Sequence, residues 1–141
     1  MTYKETDPHI YRVSIKGIVI KDKKVLLTQE GREIGGHWTM LGGGLEHSEI
    51  DHETCLKREI AEETGLVVTK VAPHPLFIIR SYMPSVETYK LDVVYEIELE
   101  NLDFTPSEEC TDLKFFSLEE MQDLPMFSNG EELRRLLKDI I

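Results

Sequence analysis

The sequence predicts an α/β fold, an α/β/α sandwich in which helices cover both faces of a central mixed β-sheet. Three observations carry this expectation. Segments rich in β-branched residues, such as Tyr11 to Ile20 and Tyr89 to Leu99, recur between polar or proline-marked turns. A helical stretch, Asp51 to Thr64, lies between the early and the late strands. The chain closes on an amphipathic pattern at Leu133, Leu136, Leu137 and Ile140.

Each element has a local reason. Tyr11 to Ile20 reads as a strand, and Val25 to Gln29 as its return across the polar turn Lys21-Asp22-Lys23-Lys24, so the first two strands are expected to form a hairpin. A short apolar piece, Trp38 to Leu41, is then broken by Gly42-Gly43-Gly44. Leu56 and Ile60, four apart, give Asp51 to Thr64 an apolar stripe with Cys55 beside it, and Gly65 is placed as its C-terminal cap. Leu66 to Val71, Leu76 to Tyr82 and Tyr89 to Leu99 read as strands punctuated by Pro73, Pro75 and Pro84, and Leu113 to Phe116 as a short one. Ser117-Leu118-Glu119-Glu120 has capping-box spacing. Ser128 or Asn129 should cap the last helix.

Length and composition set outer limits. The 141 residues suit one domain, 1–141. With 40% apolar and 30% charged residues the chain has the composition of an ordinary soluble domain. No apolar run approaches the roughly 20 residues needed to span a membrane. Met1 to Asp7 lacks the basic-then-apolar pattern of a signal peptide, so the expected location is cytoplasmic. Cys55 and Cys110 form neither a disulfide framework nor a zinc spacing, and Cys55 reads as a small core hydrophobe. The net charge of −11 argues against binding a nucleic acid polymer. It leaves room for a small phosphorylated substrate, because a bound cation inverts the local field.

The chemistry concentrates between Gly42 and Leu66. Glu59, Glu62 and Glu63 stand at i, i+3 and i+4 on the helix, where Cβ atoms are about 5–6 Å apart. At an effective dielectric of about 20, two carboxylates about 5 Å apart repel by roughly 3 kcal/mol. A divalent cation removes that cost, and magnesium or manganese prefers such oxygen ligands. Taken alone, the pattern is more often a solvated face, where like charges cost only tenths of a kcal/mol. Two neighbours change the balance. The glycines let a backbone carbonyl approach an ion, and Arg58 can grip a carboxylate with two nitrogens.

This segment resembles the signature of the Nudix hydrolases. That signature runs Gly, five residues, Glu, seven residues, Arg-Glu, an aliphatic, any residue, Glu-Glu, any residue, Gly, an aliphatic. Gly43 and Glu49 have the first spacing, and Arg58-Glu59-Ile60-Ala61-Glu62-Glu63-Thr64-Gly65-Leu66 matches the whole second half. The match covers about a sixth of the chain. One departure stands out: eight residues, not seven, separate Glu49 from Arg58. The extra residue falls within Ile50-Asp51-His52. It leaves the metal face intact and puts the place of Glu49 in question, with Glu46 or Asp51 as substitutes for part of its role.

The resemblance implies a Nudix-like sandwich and a metal-dependent hydrolase. Such an enzyme cleaves the diphosphate bond of a nucleoside diphosphate linked to another moiety, by attack of water on phosphorus. Glu59, Glu62 and Glu63 would bind Mg²⁺ or Mn²⁺ with the Gly42 carbonyl, while Arg58, Glu49 and Gly43 support that face. The base is one of the helix glutamates, or Glu109 on a loop before the last strand. Arg32 and Glu46 are weaker candidates for substrate contact. The partner implied is a small nucleotide-like substrate, with no membrane; the residues leave the oligomeric state open, a homodimer being common in such families.

Other residues are less telling. Trp38 reads as packing under the site, and His37 as a turn residue. His47 and His52 flank the signature and are expected to face solvent. Nothing in spacing selects among Arg80, Tyr82 and Lys90. Two other readings compete with the enzyme. One is an inactive, nucleotide-sensing domain of the same family. The other is isomerase chemistry on an isoprenoid diphosphate, for which no cysteine and glutamate pattern is evident.

Overall fold

A computed structural model describes residues 7–31 and 36–141. Its elements are β1 (Tyr11–Ile18), β2 (Ile20–Lys21), β3 (Lys24–Glu30), β4 (His37–Thr39), β5 (Leu41–Gly44), α1 (His52–Thr64), β6 (Val68–Val71), β7 (Phe77–Met83), β8 (Thr88–Leu99), β9 (Asp112–Phe116), α2 (Leu118–Met121) and α3 (Gly130–Leu137). A short 3₁₀ turn, Pro84–Val86, links β7 to β8.

Among the described residues the strands form two sheets. In the first, β5 pairs antiparallel with β1, β1 pairs parallel with β8, and β8 pairs antiparallel with both β7 and β6. In the second, β3 pairs antiparallel with β2, β4 and β9. Two buried clusters flank the first sheet. One joins Ile15, Leu41, Tyr95 and Ile97 to Cys55, Leu56 and Ile60 of α1. The other joins Ile18, Ile79 and Val94 to Trp38, Phe116 and Leu133 and Leu137 of α3. Helices on opposite faces of a mixed sheet are the architecture expected from the sequence.

Several local expectations are corrected. Tyr11 to Ile20 is not one strand returning directly into the next. The chain changes sheets at Val19, and only Ile20–Lys21 forms the hairpin with β3. The turn between them places Asp22 and Lys23 at φ 52° and 61°. Gly42-Gly43-Gly44 does not break the preceding strand but forms one, with Gly42 opposite Lys16 and Gly43 opposite Ile15. Small residues suit this strand because α1 lies directly on it.

The caps follow the sequence more closely. Asp51 Oδ1 accepts the Thr54 amide at 2.8 Å and opens α1. Gly65, at φ 75°, closes α1 by donating to the Ala61 carbonyl. Ser117 and Glu120 form the full capping box at the start of α2. Asn129 occupies the cap position of α3 but makes no side-chain cap bond. The last helix ends at Leu137, so Ile140 lies beyond it and is exposed, while Leu136 is only half-buried. No helix among the described residues is long and apolar enough to cross a membrane.

Candidate active site

The site is built where α1 crosses β5. Burial of Leu56 and Ile60 fixes the roll of α1 about its own axis, and that roll directs Glu59 and Glu63 toward the glycine strand. Gly42 has φ 112°, and a Cβ there would stand 2.2 Å from the Ile15 carbonyl oxygen. At Gly43 a Cβ would fall 2.5 Å from the Glu59 carboxylate. These two glycines therefore have distinct jobs. Gly42 lets two strands meet, and Gly43 leaves the space that the Glu59 head occupies.

Arg58 gathers the carboxylates. Its Nε donates to Glu49 Oε2 at 3.0 Å, and its Nη2 donates to Glu49 Oε1 at 2.9 Å and to the Gly44 carbonyl at 3.0 Å. Its Nη1 donates to Glu59 Oε1 at 3.0 Å and Glu62 Oε2 at 3.2 Å, with Glu46 Oε1 3.6 Å away. The guanidinium holds the Glu49 carboxyl down at about 2, helped by the Glu46 amide.

The extra residue is absorbed before the helix. Glu46 and Glu49 close a turn on each other, the Glu49 amide donating to the Glu46 carbonyl at 3.1 Å. Ile50 then loops into solvent at 95% exposure, and Asp51 caps α1. Glu49 keeps its place against Arg58, Asp51 is spent on the cap, and Glu46 is only an outlying neighbour.

Glu63 is the deepest of the three helix carboxylates. It is buried, and its Oε1 accepts the Gly42 amide at 2.9 Å. Burial pushes its carboxyl up to about 8, against the pull of Lys16 and the Gly42 amide. Glu30, at the end of β3, lies within hydrogen-bonding reach of Glu63 and is also raised by burial, despite Lys16 and Lys90 nearby. Lys16 is buried, and its Nζ donates to the Gly42 carbonyl at 3.0 Å. Glu62 is more than half exposed at the rim. Glu109 is exposed on its loop, close enough to Glu30 to act on its charge.

A polar chain continues inward from this point. Lys90 Nζ stands 3.4 Å from Asp92 Oδ1, and burial lowers the Lys90 ammonium. Asp92 Oδ2 accepts from Asn129 Nδ2 at 2.9 Å, so the Asn129 side chain is turned to Asp92. Sequence reasoning passed over Lys16, Glu30 and Asp92, and offered Asn129 only as a helix cap. The usable signal was a lysine, a glutamate and an aspartate inside otherwise apolar strands, since such residues are seldom buried without partners.

Other residues settle differently from expectation. Arg32 lies outside the described residues. His52 does not simply face solvent, because its Nδ1 is 2.6 Å from the Tyr95 hydroxyl. His47 is exposed. His37 is half-buried and stacks on Phe127 at 5.0 Å. Trp38 packs edge-on against Phe116 in the core. Arg80 lies over the Tyr89 ring at 3.9 Å, making no contact with the carboxylates. Cys55 is buried under Gly43 and Gly44, and burial raises its thiol to about 12.

The donor set suits a hard divalent cation: three carboxylates on one helix and a glycine carbonyl, which here accepts from Lys16. Among the described residues, no three acidic, histidine or cysteine side chains already converge as a cage. Glu59 and Glu62 are turned to Arg58, and Glu63 to the Gly42 amide. To hold a cation they would have to leave these partners.

Comparison with known proteins bears on the fold and the family. The pattern that defines the NUDIX domain matches residues 10–137. The chain is 42% identical over 53 residues to the NAD-capped RNA hydrolase NudC of Vibrio cholerae serotype O1, covering 38% of this chain and 19% of that protein. The aligned stretches span less than half the length of the curated relatives the chain matches. In structure it is similar to a MutT NUDIX hydrolase from Burkholderia pseudomallei, with TM-score 0.73, 19% identity, and 94% and 100% of the two chains covered. It is also similar to an ADP-ribose pyrophosphatase from Streptococcus suis, with TM-score 0.66, 20% identity and 92% of each chain covered. With its family pattern running from Ile10 to Leu137 and the fold to match, the chain belongs to the NUDIX domain family.

Proposed function

We propose that this protein is a Mg²⁺- or Mn²⁺-dependent pyrophosphohydrolase, one domain over 1–141, acting on a nucleoside diphosphate linked to another moiety. The observation that carries the reading is the Arg58 network. One guanidinium ties Glu49, Glu59 and Glu62 to the glycine strand, so α1 keeps its carboxylates beside that strand although the signature carries an extra residue. The names of two similar proteins, one acting on NAD-capped RNA and one on ADP-ribose, favour a diphosphate placed between two groups. Two free, buried thiols are in keeping with a cytosolic setting.

Glu59, Glu62, Glu63 and the Gly42 carbonyl would hold the cation. When bound, it polarises phosphoryl oxygens, acidifies water and neutralises the leaving group. Arg58 and Glu49 keep Glu59 and Glu62 aimed. A water oxygen forms the new bond to phosphorus, and the bridging oxygen leaves with the departing phosphate. The water proton passes to a carboxylate, Glu109 or a helix glutamate.

The test is a panel of nucleoside triphosphates, oxidised nucleotides, ADP-ribose, nucleotide sugars and dinucleoside polyphosphates with Mg²⁺ and Mn²⁺, with products identified. Metal-dependent release of a nucleoside monophosphate or diphosphate is expected. Tight binding across the panel with no products would overturn the enzyme in favour of a sensor.

A further inference from the structure

Lys16 projects from β1, its Cα opposite Gly42 of β5. It is 6% exposed, and its ammonium donates to the Gly42 carbonyl at 3.0 Å. The carboxylates of Glu63 and Glu30 lie close enough for the ammonium to act on both. Lys16 is thus a positive charge held on one carbonyl, with the carboxyl groups of Glu30 and Glu63 within electrostatic range. That is also the donor chemistry a divalent cation seeks. An ammonium and a divalent cation repel, and they cannot share one carbonyl oxygen at contact distance.

Lysine is suited to yield. Its charge is a compact ammonium on a flexible four-carbon stem, unlike the planar fork of arginine. A second ammonium, Lys90, lies within electrostatic range of Lys16 and is tied to Asp92 at 3.4 Å. Retreat along the polar chain toward Asp92 therefore meets like charge. The space above the glycine strand, where a diphosphate would meet the cation, is the direction that offers new anionic partners.

We propose that Lys16 is an exchangeable internal counter-ion. It holds the Gly42 carbonyl, beside the Glu30 and Glu63 carboxyl groups, in the cation-free protein, gives it up when the divalent cation binds, and then contacts a phosphoryl oxygen of the substrate. It is a positioning residue for the cation and a binding residue for the diphosphate. The inference rests on the enzyme reading for the identities of cation and substrate.

The experiment measures binding by titration calorimetry, without turnover, on wild type, Lys16→Met and Lys16→Arg. Mn²⁺ alone is the first probe, and inorganic pyrophosphate added to the Mn²⁺-loaded protein is the second. Loss of the resident ammonium should tighten Mn²⁺ binding at least threefold in Lys16→Met, while pyrophosphate binding weakens at least tenfold. Lys16→Arg should recover most of the pyrophosphate affinity. Unchanged or weaker Mn²⁺ binding in Lys16→Met, or unchanged pyrophosphate binding, would overturn the exchange. Should Lys16→Met fold poorly, Lys16→Gln keeps a polar tip on the carbonyl without the charge and is read the same way. A wild-type protein that binds no Mn²⁺ would sink the enzyme reading instead, which keeps the two failures apart.

Discussion

Arg58 grips Glu49 with two nitrogens, at 3.0 and 2.9 Å, while a third nitrogen of the same guanidinium reaches Glu59 and Glu62. The pair spans the loop that carries the extra residue, so it fixes where α1 begins relative to β5. Arg58→Lys keeps charge but loses the fork. It should lower kcat/KM by about 10–100-fold, as losses of groups that orient metal ligands do. Steady-state kinetics on the substrate found in the panel would check this. Wild-type rates in the variant would show that the fork does not aim the carboxylates.

The same pair should show in acid. Glu49 sits at about 2 in the folded protein against an ordinary 4.5. A depressed carboxyl contributes stability that is complete above about 4.5 and fades as pH falls toward 2. Thermal melts of wild type and Glu49→Gln from pH 7 to pH 2.5 should therefore differ most at the upper end and converge at the lower. A gap that stays constant with pH would contradict the assignment.

Glu63 behaves in the opposite sense. Its carboxyl lies at about 8 without a cation. In the cation-free protein its contribution to stability is fullest below about 4.5 and is lost as pH rises through 8. A cation favours the ionised form, so binding should release a proton at pH 7. Mn²⁺ affinity should rise with pH up to about 8, approaching tenfold per unit for one released proton. Calorimetry in buffers of different ionisation heat would detect the proton, and a flat affinity between pH 6 and 8 would rule it out.

Glu62 lies at the exposed rim, so its loss should spare the fold. Glu62→Gln should change stability by no more than about 0.5 kcal/mol, as exposed substitutions do. Its metal-dependent turnover should fall by more than the roughly 100-fold upper range for outer supporting groups. Melting curves beside kinetics separate the two effects. Full activity in this variant would remove Glu62 from the cation face.

The two glycines should separate stability from chemistry. Gly42→Ala forces a side chain into φ 112° and against the Ile15 carbonyl, so strain of about 1–3 kcal/mol adds to a clash between strands. Gly43→Ala instead meets the movable head of Glu59. The first variant should lose melting temperature. The second should keep most of it and lose Mn²⁺ affinity. The reverse pattern would show that the roles drawn from the backbone are wrong.

The sequence by itself determined the helix, its C-terminal cap and the carboxylate pattern. Those depend on residues three or four apart, and a helix translates such spacing directly into a shared face. Gly65 and the Ser117-Glu120 box were legible for the same reason, because each satisfies backbone groups within a few residues of itself, whereas Asp51 reads in the sequence as a substitute for Glu49 and not as the cap it is. The family signature extended that reading to the fold.

Only the tertiary structure decided what crosses between elements. The glycines looked like a break because nothing local says that Gly42 and Gly43 pair with Lys16 and Ile15. Glu49 was in question because a count along the chain cannot show Ile50 looping out so that Arg58 still meets its partner. Lys16 and Glu30 were invisible as site residues, since their partners, Gly42 and Glu63, lie 26 and 33 positions away. Packing brings these groups together, and burial then gives their charges the strength that spacing alone could not assign.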